Sequence, residues 1–298
     1  MRAAVLLLWL VPAVEGGDVD ATFPAIGRIT SGNLFVTRTC TGTLIAPDVV
    51  LTAGHCISPA GELTFDVTDD DGTTSIHRFS VATALAHPGY EPIADDAQPE
   101  THSINDVGVL LLREAVSIDG SVPLPIRRNL LDDSLGGEPV TAFGYGATRT
   151  AASGTKRSVE LYFGTLFEDS YLLVGVDLDD TDQSGTVTVD KGLCPGDSGG
   201  PDLMRGPDDA LEIVGVHAMG SVACSLAEST RLDTHLERFI DPVLAGDVPD
   251  GCSGDTLDAA VCNAAVESGG CSAAGTTQAA WALGAALACG LRARRTRR

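Results

Sequence analysis

Three short segments of the chain contain the residue types that a nucleophilic mechanism needs. Ser198 lies in the segment CPGDSGGP, His55 in LTAGHC and Asp106 in NDVGVLL. A serine hydroxyl is a poor nucleophile unless a base removes its proton, and a third group must orient that base. Asp106 opens an apolar strand, where a buried carboxylate can hold an imidazole. We therefore predict that Ser198 is a nucleophile, that His55 is its base and that Asp106 orients the base.

The same serine also fits the pattern of a nucleophile elbow, G-x-S-x-G. In that arrangement the acid and the histidine follow the serine, and Asp233 with His235 would fill those roles. The elbow requires a helix directly after the serine. The segment GGPD at residues 199–202 does not begin a helix well, so the first assignment is favoured. No pair of histidines has the spacing of zinc ligands, and no catalytic metal is predicted.

Short segments rich in β-branched residues, separated by turn residues, predict an all-β fold. Only one amphipathic helix is predicted, over residues 234–241, and Pro242 is expected to end it. This pattern is typical of an antiparallel barrel or sandwich. The predicted strands cover residues 36–45, 49–52, 107–112, 139–143, 159–167, 171–176, 186–189 and 212–217.

The segments TAGHC, NDVGVLL and GDSGGP, in this order, resemble those of the trypsin/chymotrypsin family of serine endopeptidases. The resemblance runs from about residue 14 to residue 240, includes the turn FGYG at 143–146, and predicts a protease domain at residues 14–246. It implies two six-stranded antiparallel β-barrels with the active site between them, and a C-terminal helix. It also implies that Ser198 attacks a peptide carbonyl, that His55 acts as base and then as acid, and that Asp106 stabilises the imidazolium.

The resemblance implies further roles around the serine. The backbone N–H groups of Gly196 and Ser198 would form the oxyanion hole. Asp197 would pair with a new N-terminal amine at Val14, because VEGG at residues 14–17 resembles the start of mature family members. The disulfides implied are Cys40–Cys56 and Cys194–Cys224.

The resemblance also implies which residues form the pocket for the P1 side chain. The residue six before the nucleophile lies at the base of that pocket, and here it is Gly192 rather than the aspartate of trypsin-like members. Cleavage after Lys or Arg is therefore not expected, and an apolar P1 residue is favoured. His217 either packs in the pocket wall or binds a P1 glutamate, because VGVH resembles bacterial glutamyl endopeptidases. The other pocket residues implied are Leu193, Ala218, Met219 and Gly220.

Both ends of the chain carry features of an exported protein. Residues 1–13 have an N-terminal arginine, an apolar run and small residues at the cleavage position, and they predict a signal peptide. Export to an oxidising compartment allows eight cysteines to form disulfides. Residues 247–270 are predicted to be a linker rich in Gly, Ala, Ser and Asp, with a Cys252–Cys262 disulfide.

The tail at residues 271–298 combines Cys271, a short apolar segment and a cluster of arginines. It resembles the MYXO-CTERM sorting signal, and arginines behind an apolar segment mark a cytoplasmic end. The resemblance implies cleavage near Cys271 and display at the cell surface. The protein is therefore expected to be secreted or surface-displayed, with membrane contact only through this tail.

The charge of the chain restricts its partners. It has 19 basic and 41 acidic residues, so nucleic acids and anionic lipids are not expected to bind. The expected partners are protein or peptide substrates, signal peptidase and C-terminal sorting machinery, and a monomer is expected. No cofactor is predicted, although DDDG at residues 69–72 could form a structural calcium loop. A non-catalytic binding or adhesion module on a protease fold is the alternative function.

Overall fold

The computed structural model describes residues 14, 16–32, 37–57, 62–68, 76–91, 104–148, 152–175, 177–181, 187–188, 191–220, 224, 227–248 and 260–263. The predicted signal peptide, the tail at residues 271–298, the calcium loop at 69–72 and most of the linker lie outside these residues. Cys252 of the predicted Cys252–Cys262 disulfide also lies outside them. All five features remain predictions.

The described residues form sixteen strands and few helical turns. The strands are β1 (Asp18–Val19), β2 (Ile26–Gly32), β3 (Thr37–Ala46), β4 (Val49–Thr52), β5 (Glu62–Thr68), β6 (Ile76–Ala86), β7 (Gly108–Leu112), β8 (Pro139–Gly144), β9 (Arg157–Leu166), β10 (Ser170–Val174), β11 (Asp177–Thr181), β12 (Val187–Thr188), β13 (Pro201–Arg205), β14 (Leu211–Gly220), β15 (Ala227–Arg231) and β16 (Ala260–Asn263). The helical turns are Gly54–Cys56, Asp133–Leu135, Leu236–Ile240 and α1 (Asp241–Leu244).

The strands close into two antiparallel barrels of six strands each. The N-terminal barrel has the order β6-β5-β2-β3-β4-β7, and pairing of β6 with β7 closes it. The C-terminal barrel has the order β9-β10-β15-β14-β13-β8, and pairing of β8 with β9 closes it. β1 adds to the second barrel beside β9, and β16 adds to the first as a parallel neighbour of β6. The predicted all-β, two-barrel fold is confirmed.

Each barrel encloses its own set of apolar side chains. Ile29, Leu51 and Phe65 are buried in the N-terminal barrel, and Leu161 and Phe163 are buried in the C-terminal barrel. Alternate residues of a strand point to opposite faces, so each strand of a closed barrel supplies one inward row. The β6–β7 and β8–β9 pairings close the two six-stranded sheets, and the inward rows fill the interiors that closure creates.

The predicted C-terminal helix is present, but its end was predicted wrongly. A π-helical turn spans Leu236–Ile240, and α1 continues through Pro242 to Leu244. Proline is tolerated in the first turn of a helix, where its missing N–H would have no intrahelical acceptor. Pro242 therefore lies inside the start of α1 rather than beyond a helix end. Within the described ranges, no helix is long and apolar enough to cross a membrane.

Candidate active site

His55 and Asp106 come together because the strands that precede and follow them are paired. β4 pairs with β7, with Thr52 opposite Gly108. His55 follows β4 in a single helical turn, and Asp106 lies two residues before β7. The His55 Nδ1–H donates to Asp106 Oδ2 at 2.7 Å, and the His55 backbone N–H donates to Asp106 Oδ1 at 2.8 Å. Asp106 thus holds both the ring and the backbone of the histidine.

The electrostatic environment of His55 favours its protonated form. Burial opposes a charge on the imidazole, but the Asp106 carboxylate and its hydrogen bond raise the pKa of His55 above its usual value. The positive charge of Arg38 opposes this effect and lowers the pKa of His55. The ring is one-third exposed, whereas Asp106 is only 1% exposed. A buried carboxylate therefore supports a histidine that solvent and a substrate can reach.

Ser198 lies in a loop that hydrogen bonds from both barrels hold in place. The Thr41 N–H of β3 donates to the Ser198 carbonyl at 2.8 Å. On the other side, the Gly199 N–H donates to the His217 carbonyl of β14, also at 2.8 Å. Ser198 and His55 line the same cleft. The loop therefore presents the serine at the junction of the barrels, next to the histidine.

The turn before Ser198 leaves two backbone donors free. The N–H groups of Gly196 and Ser198 have no hydrogen-bond acceptor among the described residues. The Gly196 carbonyl instead accepts from Thr41 Oγ1 at 3.0 Å. Gly196 has a φ of +101°, and a Cβ there would lie 2.8 Å from the Gly146 Cα. Glycine is thus required for a conformation that leaves both N–H groups available to a developing oxyanion.

Asp197 points inward from the same turn and is completely buried. Its Oδ1 accepts from the Gly146 N–H and its Oδ2 from the Cys194 N–H, both at 2.8 Å. Burial raises the pKa of Asp197, although these N–H groups and the charge of His217 oppose that effect. Val14 is also completely buried and packs in the core of the C-terminal barrel.

Comparison with known proteins decides which family the chain represents. The sequence profile described as Trypsin matches residues 18–242, most of the chain. The chain belongs to the trypsin family. This serine endopeptidase is 29% identical over 224 residues to a venom serine protease of Polistes dominula, over 70% of this chain and 76% of that protein. It is 25% identical over 229 residues to chymotrypsin-C of Bos taurus, over 68% and 76% of the two chains.

A solved structure supports the same fold. The structure titled "Structure of GrC" aligns with this trypsin-family chain with a TM-score of 0.60 at 20% identity. The alignment covers 77% of this chain and 99% of the other. This likeness, at such low identity, concerns the two-barrel architecture only.

Two disulfides brace the protease on either side of Ser198. Cys40 of β3 pairs with Cys56 beside His55, and Cys194 pairs with Cys224. Both are the pairings that the resemblance to the family implied. Cys40, His55 and Cys56 are the one group of metal-ligand residue types that clusters within the described residues. Its two sulfurs are bonded to each other, so they do not supply thiolate ligands.

The residues expected at the P1 pocket lie close together, and several are buried. Gly192, Leu193 and Ala218 are buried, while Met219 and Gly220 are partly exposed. Leu193 packs into the core of the C-terminal barrel. The Gly220 backbone approaches the Leu193 carbonyl so closely that a Cβ on Gly220 would overlap it. The two segments that are expected to form the pocket walls are therefore in contact at this point.

His217 has both ring nitrogens occupied inside this protease. Nδ1 lies 3.0 Å from the Asp197 carbonyl, and Nε2 lies 2.9 Å from Asp202 Oδ1. Tyr171 donates its hydroxyl to the other Asp202 oxygen at 2.7 Å. All three side chains of this network, His217, Asp202 and Tyr171, are almost completely buried. Burial opposes protonation of His217, but the two neighbouring acids raise its pKa above the usual value.

Sequence reasoning missed Asp202 and Tyr171 as members of this network. Asp202 lies in β13, which is otherwise apolar except for its final arginine, and an isolated acid in such a strand is a signal for a buried partner. Tyr171 carried no comparable signal, because a tyrosine in a strand is ordinary. The elbow alternative is excluded, because strand β13 rather than a helix follows Ser198. Asp233 forms an ion pair with Arg231, and the His235 ring packs against His87.

Proposed function

We propose that Ser198, His55 and Asp106 form the catalytic triad of this endopeptidase. The observation that carries the proposal is the 2.7 Å hydrogen bond from His55 Nδ1–H to the buried Asp106. That bond leaves Nε2 as the unprotonated nitrogen of the neutral ring, and this is the nitrogen that accepts the Ser198 proton.

The reaction proceeds through an acyl-enzyme. Ser198 Oγ attacks the peptide carbonyl as His55 takes its proton, and the free N–H groups of Gly196 and Ser198 stabilise the oxyanion. His55 then gives the proton to the leaving amine as the C–N bond breaks. Water, activated by the same histidine, hydrolyses the ester and restores Ser198. Each oxyanion donor contributes about 10² to 10³ in rate.

We propose that removal of residues 1–13 creates the active N-terminus at Val14, whose amine pairs with Asp197. Two observations support this. Val14 and Asp197 are both completely buried. Burial raises the pKa of Asp197, so a cation beside this carboxylate would stabilise its ionised form. N-terminal sequencing of the secreted protein tests the proposal, and a mature chain that starts at any residue other than Val14 would contradict it.

An uncharged, apolar P1 residue is the substrate preference that the pocket supports. Gly192 supplies no negative charge for a P1 lysine or arginine. A P1 glutamate is the second candidate, but both nitrogens of His217 already contact protein acceptors. Binding a P1 carboxylate through His217 would require breaking one of those contacts. Digestion of a peptide library reports the preference directly, and predominant cleavage after glutamate would favour the second candidate.

Labelling with a fluorophosphonate separates the protease from a non-catalytic binding module. The folded protein with its mature N-terminus is expected to react at Ser198, and the unfolded protein is not. Ser198→Ala should abolish labelling, and His55→Ala should slow it strongly. A correctly folded and processed protein that fails to react would favour the alternative, an adhesion or binding module on a protease fold.

We also propose that the protease acts outside the cell, either secreted or displayed at the cell surface as a monomer. Two disulfides support an oxidising compartment. Signal peptidase and C-terminal sorting machinery would process the two ends, and mass spectrometry of the mature protein tests for cleavage near Cys271. No cofactor is proposed, and calcium at residues 69–72 is tested by the melting temperature with and without a chelator.

A further inference from the structure

A cleft of about 390 Å³ lies beside Ser198 and His55. Its walls include β2 at Ser31 and the start of β3 at Arg38 and Thr39. None of the described residues of β14, the strand that contributes the P1 pocket walls, lines this cleft. The cleft is therefore a different part of the substrate path from the P1 pocket.

The chemistry of Ser198 decides which part of a substrate reaches this cleft. The acyl part of a peptide extends from the scissile carbonyl towards the P1 pocket. His55 must protonate the leaving amine, so the leaving part extends from the same carbonyl past the histidine. The cleft adjoins His55 and the Cys40–Cys56 disulfide. It is thus placed to hold the first residues after the scissile bond.

Among the described residues that line the cleft, Arg38 carries the one permanent charge. The other described lining side chains are hydroxyls, small apolar groups, a disulfide and His55, and none of them is acidic. Arg38 is exposed and forms no ion pair with any described residue. Its charge reaches the active site, because it opposes protonation of His55. The guanidinium is therefore available to an acidic group from outside the chain.

We propose that Arg38 binds an acidic side chain located one or two residues after the scissile bond of the substrate. This specificity rests on the proposed triad. The planar guanidinium can donate two parallel hydrogen bonds to a carboxylate, and hydroxyls such as those of Ser31 and Thr39 can complete the site. The chain as a whole is strongly acidic, with 41 acidic against 19 basic residues, and repels acidic peptides elsewhere. Arg38 provides a local cation where the leaving peptide must pass.

Matched quenched-fluorescence peptides test this proposal. They share one acyl part and P1 residue and differ only in Glu, Gln or Lys at the first or second position after the scissile bond. We expect kcat/KM for Glu to exceed that for Gln by about three- to fivefold, the size of one solvent-exposed ion pair. The ratio should approach one in Arg38→Ala and in about 1 M salt, where the screening length is roughly 3 Å. Arg38→Glu should reverse the preference towards Lys.

Two controls keep the result specific. Arg238→Ala removes another exposed arginine from the surface near α1 and should retain the wild-type ratio of Glu to Gln. Arg38→Lys keeps the charge and should retain part of the preference. The proposal is overturned if Arg38→Ala shows the same Glu-to-Gln ratio as the wild type, or if the wild type shows no preference.

Binding to the inactive Ser198→Ala protein separates this proposal from the triad. Fluorescence anisotropy should show tighter binding of the Glu peptide than of the Gln peptide, and Arg38→Ala should remove the difference. If the wild type neither cleaves peptides nor reacts with a fluorophosphonate, the triad proposal fails, while the anisotropy still reports on Arg38. Equal affinity for both peptides overturns the Arg38 proposal whatever the activity.

Discussion

The His217 imidazole lies 2.9 Å from the Asp202 carboxylate inside the C-terminal barrel, and its other nitrogen lies 3.0 Å from the Asp197 carbonyl. Because a carbonyl only accepts hydrogen bonds, Nδ1 carries a proton, and a further proton lies between Nε2 and Asp202. The buried pair therefore ties β13 and β14 to the loop that carries Ser198.

Removal of both members of this pair should cost less than the sum of the two single removals. His217→Val leaves the buried Asp202 carboxylate with Tyr171 as its one side-chain donor among the described residues. Asp202→Leu leaves the buried His217 imidazole without its partner at Nε2. Each single change should lower the free energy of unfolding by about 3–5 kcal/mol. The double variant should lose clearly less than the sum, as measured by urea unfolding. Additive losses would show that the two side chains do not stabilise one another.

The contribution of His217 to stability should depend on pH in a definite direction. Asp202 and Asp197 raise the pKa of His217 although burial opposes its charge. A raised pKa means that the stabilisation is fully present below the ordinary value of 6.5 and is lost as pH rises through the folded-state value. The difference in unfolding free energy between the wild type and His217→Val should therefore shrink at alkaline pH. A difference that grows with pH would contradict this assignment.

The activity of the protease should fall on the acid side at a pH above the ordinary pKa of histidine. His55 must be neutral to accept the Ser198 proton, and Asp106 raises its pKa. Asp106→Asn should lower kcat by about 10⁴, because the amide no longer orients the correct tautomer. The profile of kcat/KM against pH measures the loss of activity in acid, and kcat at the optimal pH measures the effect of Asp106→Asn. Asp119→Asn, at an exposed acid, serves as the control and should leave the profile unchanged.

Gly220→Ala should impair peptide binding at the P1 pocket. A Cβ on Gly220 would overlap the Leu193 carbonyl and lie 3.2 Å from the Leu193 Cβ, so the pocket walls would have to separate. We expect kcat/KM for peptides to fall by about tenfold or more, equivalent to about 1.4 kcal/mol. The rate of labelling by a small fluorophosphonate should fall less than kcat/KM for peptides does. Gly136→Ala, where a Cβ would make only ordinary contact, is the matched control.

Asp66 should be a main electrostatic support of the N-terminal barrel. Its buried carboxylate accepts from Arg28 at 2.8 Å and from Arg78 at 2.8 and 3.0 Å. Burial raises the pKa of Asp66, but the two arginines outweigh it and lower the value. Asp66→Asn should lower the unfolding free energy by about 1–3 kcal/mol at neutral pH.

A depressed pKa means that this stabilisation is present at neutral pH and is lost as pH falls through the folded-state value. The effect of Asp66→Asn on urea unfolding should therefore disappear in acid. Arg205→Ala, which breaks an exposed ion pair with Asp209, should cost less than about 1 kcal/mol. If the two variants were equally stable at neutral pH, the buried pairs would not support the barrel.

Some strands could not be predicted because their inward residues are polar. The five residues of β15, AESTR, are all buried, although four of them are polar or charged. Arg231 is buried because Asp233 and the Leu131 carbonyl accept from it, and neither contact is visible in the local pattern. β7, by contrast, is apolar throughout and β4 is apolar except for Thr52, and the extents of both were predicted to within one residue.

The sequence by itself predicted an all-β fold and the candidate triad residues, because an activated serine needs a base and an orienting acid. Its resemblance to the trypsin/chymotrypsin family implied the two barrels and two disulfides. Only the tertiary structure decided what His217 contacts and where Arg38 lies. Asp202 and Tyr171 reach His217 from other strands, and Arg38 reaches the cleft beside Ser198 through the pairing of β2 with β3. Such contacts depend on strand register across a closed barrel, which no local pattern of residues specifies.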